Sequence, residues 1–167
     1  TLSYSHTCTG SGLVLVVGIT WAHASGRDVS TVTYNSVSMT KAVDRLNGDG
    51  SFGTSVWYLA NPALGSNTLT ITMDSGVTGL QANATSFTGC DVDDPIGATN
   101  TAANLSVAVT TDTDNSFVYD TVFNLDPTCN TNPLTVGAGQ TDRANHCNNH
   151  REACSTEPTI TAGSVTM

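Results

Sequence analysis

Asn67-Thr68-Leu69-Thr70-Ile71-Thr72-Met73 places an apolar side chain at every second position, with hydroxyls between them. A period of two belongs to a strand with one buried face and one wet face. The wet face here carries Thr rather than Lys or Glu. The same beat opens the chain, where Leu2, Tyr4, His6 and Cys8 share one side and small hydroxyl residues the other. Leu13 to His23 is apolar on both faces as far as Val17, as suits a central strand covered on each side, and Trp21 continues its odd-numbered face.

Further strands are expected at Val29 to Tyr34 and Val37 to Val43, a hairpin around Asn35-Ser36. Ser55 to Ala60 is closed by Asn61-Pro62, because proline cannot donate to a ladder. Asn67 to Met73, Leu80 to Phe87, Leu105 to Thr110 and Phe117 to Leu125 follow, each bounded by Gly, Pro, Asn or Asp. No stretch has sustained helical periodicity, and no internal repeat is evident. The expected fold is a single all-β domain over residues 1–167, an antiparallel β-sandwich of jelly-roll or Ig-like type with about eight to ten strands. Its core is expected around Leu13, Leu15, Val17, Ile19, Trp21, Trp57, Leu69, Ile71, Phe87, Val107, Val109, Phe117, Tyr119 and Phe123. Asp126 to Pro158 is Asn-rich and holds three cysteines, so a long surface excursion stapled by a disulfide is expected there.

Charged residues make up only 11% of the 167, against about a quarter in an ordinary domain, while the 38% that are hydrophobic suffice for a core. Fourteen acidic residues against five basic ones give a net charge of −9, and Lys41 is the only lysine. Phosphate backbones and anionic lipid need clustered Lys and Arg, which excludes nucleic acid and anionic membrane as natural partners. No apolar run approaches the roughly 20 residues of a membrane helix, so no membrane insertion is expected. The start at Thr1 fits a processed N-terminus. Cys8, Cys90, Cys129, Cys147 and Cys154 are the disulfide candidates; with no Cys-x-x-Cys among them, they point to an oxidising, extracellular or cell-surface setting. Five is odd, so one thiol must stay unpaired or bond to a neighbouring chain.

His146, Cys147, His150 and Cys154 have a spacing found in zinc sites, yet export favours a Cys147–Cys154 disulfide with solvated histidines. Asp91, Asp93 and Asp94 form an acidic turn, weak as a calcium site because the Asp-x-Asp-x-Asp-Gly loop is absent. Asp112 and Asp114 form another. Nothing specifies facing carboxylates, a Gly-x-Ser-x-Gly elbow or a phosphate loop, so no enzyme is read from the sequence. Trp21, Tyr34, Trp57 and Tyr58 could stack on sugars if exposed, although adjacent Trp57 and Tyr58 must point to opposite faces. Asn83-Ala84-Thr85 and Asn104-Leu105-Ser106 are glycosylation sequons.

Several segments resemble a family of β-sandwich modules found in large secreted and surface-attached bacterial proteins and in some phage structural proteins. They are SHTCTGSG at 5–12 before LVLVVGI, VTYNSVSMT at 32–40, WYLANP at 57–62, SFTGCDVDDPIGA at 86–98, GAGQT at 137–141 and TAGSVTM at 161–167. The resemblance implies a jelly-roll-like, non-catalytic sandwich used for display, adhesion or assembly. Cys8 and Cys90 stand where that family has aliphatic residues, which implies that they bond each other or bond between chains. Such modules run on past the TAGSVTM segment into a further strand, so a groove of unpaired backbone is expected here.

A neighbouring copy could fill that groove with residues 1–8, seating Leu2, Tyr4, His6 and Cys8 in the next subunit. The other placement pairs those residues within their own sandwich. The function expected is therefore a structural subunit of an extracellular filament or cell-surface assembly, with copies of itself as partners and no cofactor beyond possible calcium. The competing reading is a carbohydrate-binding adhesin module that takes up glycans, with calcium as its cofactor.

Overall fold

The computed structural model describes residues 1–23, 26–125, 133–148 and 150–167, none of them helical. Thirteen strands succeed one another: β1 (Leu2–Cys8), β2 (Val14–Ala22), β3 (Val29–Tyr34), β4 (Val37–Ser38), β5 (Thr40–Leu46), β6 (Phe52–Ala60), β7 (Gly65–Met73), β8 (Gly79–Phe87), β9 (Ala108–Thr110), β10 (Ser116–Asn124), β11 (Thr141–Asn148), β12 (His150–Thr159) and β13 (Ser164–Thr166). Besides β13, at Ser164–Thr166, two stretches raise the count above the eight to ten expected. The stretch read as Val37 to Val43 splits at buried Met39, whose N–H bonds the Val32 carbonyl while the chain passes from one sheet to another. The stretch read as a surface excursion holds β11 and most of β12.

All pairing is antiparallel, in three larger sheets and a ribbon. The first sheet runs β1-β7-β3-β4, the second β5-β6-β2-β8 and the third β10-β12-β11, while β9 and β13 form the ribbon. β2 explains the stacking, because both of its faces are apolar or small and Val14 to Trp21 are buried. Its odd face, Leu15, Val17, Ile19 and Trp21, meets Leu69, Ile71, Val32 and Tyr34 of the first sheet in the main core. Its even face meets the third sheet, with the Gly18 N–H donating to the Tyr119 hydroxyl at 3.1 Å and Thr20 Oγ1 lying 2.9 Å from His150 Nε2. The second sheet is thus the middle layer of three.

The path of the chain repeats. β1 pairs with β7 as β9 pairs with β13, and β2 pairs with β6 as β10 pairs with β12. β5 joins β6 through a bulge between Lys41 and Val43, and β11 joins β12 through one between Asp142 and Ala144. Both bulged strands begin with a threonine, Thr40 or Thr141, one residue before the irregularity. β7 and β13 each run into Thr-Met, at Thr72-Met73 and Thr166-Met167. The likeness is one of pairing order, without a counterpart of β3 and β4 between β10 and β11 among the described residues, and the sequence itself shows no evident repeat. β8, which flanks β2 on the side away from β6, has no counterpart beside β10 among the described residues.

Candidate functional site

Strand margins are where an all-β protein meets other chains, since they carry unpaired N–H and C=O groups. Most margins here are covered or blunted. β1 and β8 lie against each other, with His6 Nε2 at 2.6 Å and Cys8 Sγ at 3.4 Å from Ser86 Oγ. β4 is only two residues long. β5 has its bulge together with Lys41, Asp44 and Arg45; the Lys41 ammonium sits 2.9 Å from Asp28 and 3.2 Å from Asp44, above the Trp57 ring. β11 likewise has a bulge and carries Asp142, Arg143 and His146.

β10 has none of these devices. Its nine residues, SFVYDTVFN, contain no proline and no bulge. Their single charge, Asp120, is turned toward β12 to accept from the Ser155 N–H at 2.6 Å and hydroxyl at 2.9 Å. Burial nonetheless holds the Asp120 carboxyl above its ordinary range. The far side of β10 receives no backbone hydrogen bond from the described residues. Phe117 and Leu125, near its two ends, are 55% and 59% exposed, and Ile160 beyond β12 is 82% exposed. Phe117 was expected in the core. At this margin it lies against the Phe87 ring, 5.4 Å away between centroids, and is otherwise largely exposed.

Between the second and third sheets lies a layer more polar than the main core. Phe52, Phe123 and His150 stack in succession at 4.5 Å, and Gln81 donates to the His150 carbonyl at 2.9 Å. Glu152 is fully buried, and its Oε2 has no hydrogen-bond partner among the described residues. Loss of hydration pushes its pKa up to about 8. The same cause lowers His150 to about 4 and raises Tyr119 and Cys154 far above their usual values. Near pH 7 the layer therefore holds neutral groups. Cys154, kept as a thiol, lacks the thiolate character a nucleophile needs.

The residues expected to carry function are dispersed. Leu2–Cys8 pairs in full register with β7 of its own chain, from Leu2 opposite Ile71 to Cys8 opposite Gly65, and the Tyr34 hydroxyl donates to the His6 carbonyl at 3.1 Å. The intrachain placement is the one formed, so a donor role requires β1 to leave this sheet. Cys8, Cys90 and Cys154 are free thiols, which corrects the expected Cys8–Cys90 and Cys147–Cys154 bonds. Cys147 is disulfide-bonded, Cys129 lies outside the described residues, and no disulfide joins two described cysteines. Asp91 turns its carboxylate onto the N–H groups of Asp93 and Asp94, and no three His, Cys, Asp or Glu among the described residues converge as a cation site.

Trp21, Tyr34 and Trp57 are buried, so they form no sugar platform. Tyr58 takes the opposite face from Trp57, as expected. Asn104 is exposed, whereas Asn83 faces the third sheet and donates to the Arg143 carbonyl at 3.4 Å. The buried group at Glu152 was missed because nothing local marks it: a glutamate in a stretch read as a surface excursion reads as solvated until the layer above is known. The bare edge had a signal in the near absence of charge from SFVYDTVFN. The chain matches no family model, no curated protein and no solved structure.

Proposed function

We propose that this chain is a non-catalytic structural module of an extracellular or cell-surface assembly, joined to copies of itself through a sheet margin and the apolar side chains beside it. The observation that carries this reading is β10, a nine-residue edge without charge relief, bulge or proline, set between exposed Phe117 and Leu125. Long uncharged edges are pairing templates that monomeric β-proteins avoid. The sandwich-like stacking, the hydroxyl-rich surface and the resemblance to display modules of jelly-roll type agree with it. Sedimentation of the purified chain over a wide concentration range, with electron microscopy of the same samples, tests it. Species larger than the 17.3 kDa monomer are expected, and a chain that remains monomeric throughout refutes the reading.

A second reading, glycan adhesion, is favoured by one feature. A hollow of about 310 Å³ on the outer face of the first sheet is lined by Ser5, Thr33, Asn35, Ser66, Asn67 and Thr68 among others, all hydroxyl or amide side chains. Glycan-array binding that Asn67→Ala abolishes would establish it.

A further inference from the structure

We infer that β10 pairs antiparallel with β10 of a second copy, with the two-fold axis at Thr121, so that two third sheets merge into one continuous sheet. The inference rests on the assembly reading above and names its surface, partner and register.

Three observations converge on it. The repeated pairing order makes β10 the counterpart of β2, and β2 has a strand on each side, β6 and β8. β10 has the equivalent of β6, namely β12, and among the described residues no strand takes the place of β8. The frame therefore already accommodates a strand at that position. Secondly, β10 is a nine-residue margin without bulge or proline, its one charge turned toward β12, and its far side receives no backbone hydrogen bond from the described residues. Thirdly, its own sequence is self-complementary about Thr121.

With Thr121 opposite its own copy, Phe117 falls opposite Leu125 and Tyr119 opposite Phe123. The two exposed apolar side chains flanking the edge would thus cover each other, twice, once on each side of the axis. Apolar and aromatic pairs directly opposite one another are favourable units of sheet stability. Asp120 falls opposite Val122 rather than itself, so like charges do not meet. Shifting the axis by one residue to Asp120 would set the two carboxylates against each other and slide Phe117 opposite Phe123, leaving Leu125 outside the paired strands. The contact is isologous and closes at two copies, so a filament would need a second surface.

The test uses the whole chain. Phe117→Lys with Leu125→Lys changes only exposed side chains and puts four ammonium groups at the shared margin. The weight-average mass at concentrations where the native chain associates is expected to fall from twice 17.3 kDa to 17.3 kDa, with unchanged circular dichroism. Register is tested by Phe117→Cys with Leu125→Cys in a Cys90→Ser background. A covalent dimer should form on oxidation with the pair. It should not form with Phe117→Cys alone, because the two copies of that residue would lie about 27 Å apart. A native chain that associates while the lysine variant does so equally well, or while the cysteine pair fails to cross-link, overturns this inference and leaves the assembly reading standing. A native chain that never associates overturns both.

Discussion

Gly18 shows how much a single missing side chain does in the middle layer. A Cβ there would lie 2.6 Å from the Tyr119 hydroxyl and 2.9 Å from Thr121, so glycine alone lets the second and third sheets approach. Gly18→Ala should destabilise by about 1–3 kcal/mol, the usual cost of overpacking, measurable as a lower urea midpoint. Glu152 and His150 set the response to pH. The Glu152 carboxyl keeps its proton up to about pH 8 when folded and loses it near 4.5 when unfolded, so stability drops as pH rises across that interval. His150, held near 4 when folded against 6.5 unfolded, makes stability drop as pH falls from 6.5 to 4. The two slopes oppose each other between about pH 4.5 and 6.5. Stability should therefore be level there and decline by on the order of a kcal/mol or more toward pH 8. Glu152→Gln should remove the alkaline decline, and urea titrations at pH 6 and 8.5 would show a residual slope if Glu152 were not its source. In a host that glycosylates exported chains, Asn104 should carry glycan and Asn83 should not, which mass mapping of glycopeptides reads directly. Neither Gly18 nor Glu152 could be picked out from sequence, because what matters about each is a neighbour far away along the chain: Tyr119 for Gly18, and for Glu152 the covering strand β8.

Among the elements, those with strict alternation or continuous apolar runs were legible, and so was the turn chemistry. β2, β6, β7, β8 and β10 fall within a few residues of their expected places, and the Asn35-Ser36 hairpin turns with both residues at positive φ, 49° and 66°. Ser36→Gly should stabilise by about 0.5–1 kcal/mol, since glycine adopts that region without steric cost; a melting temperature that does not rise would argue against the turn. β11 and β12 were illegible because Asn, His and Cys at their wet and interlayer positions mimic loop composition. Only pairing with β10 makes strands of them. β1 was read correctly as a strand, while the partner favoured for it was a neighbouring copy and the one it has is β7 of its own chain. Since Leu2 and Tyr4 pack on the main core and Cys8 is fully buried within it, deletion of residues 1–8 should lower the unfolding midpoint markedly. A deletion variant as stable as the full chain, and filament-free, would instead favour the exchanged arrangement.

At the scale of the molecule, the three layers differ in what holds them. The first and second sheets enclose Leu15, Val17, Ile19, Leu69 and Ile71 without exposure, whereas the third sheet is held through hydroxyls, a histidine stacked on two phenylalanines and a carboxyl group with one oxygen unpartnered among the described residues. Hydrogen exchange should therefore find β10 to β12 opening at lower free energy than β2 and β7. Equal protection in the two regions would show that the polar layer is as cohesive as the apolar one. The part of the main core in β2, β6 and β7 was readable from period, whereas Phe87, Val107, Val109, Phe117, Tyr119 and Phe123 fall outside that core, and the three-layer stack was not readable because periodicity says that β2 is covered on both sides without saying by what. Pairing also imposes a timetable. β1 cannot find β7 until Ile71 has been made, roughly sixty residues after Cys8, and translation at about 5–20 residues per second puts that delay at about 3–12 seconds. Throughout that wait β1 offers Leu2, Tyr4 and Cys8 to whatever surrounds the ribosome, which makes it a natural handle for a chaperone on the nascent polypeptide.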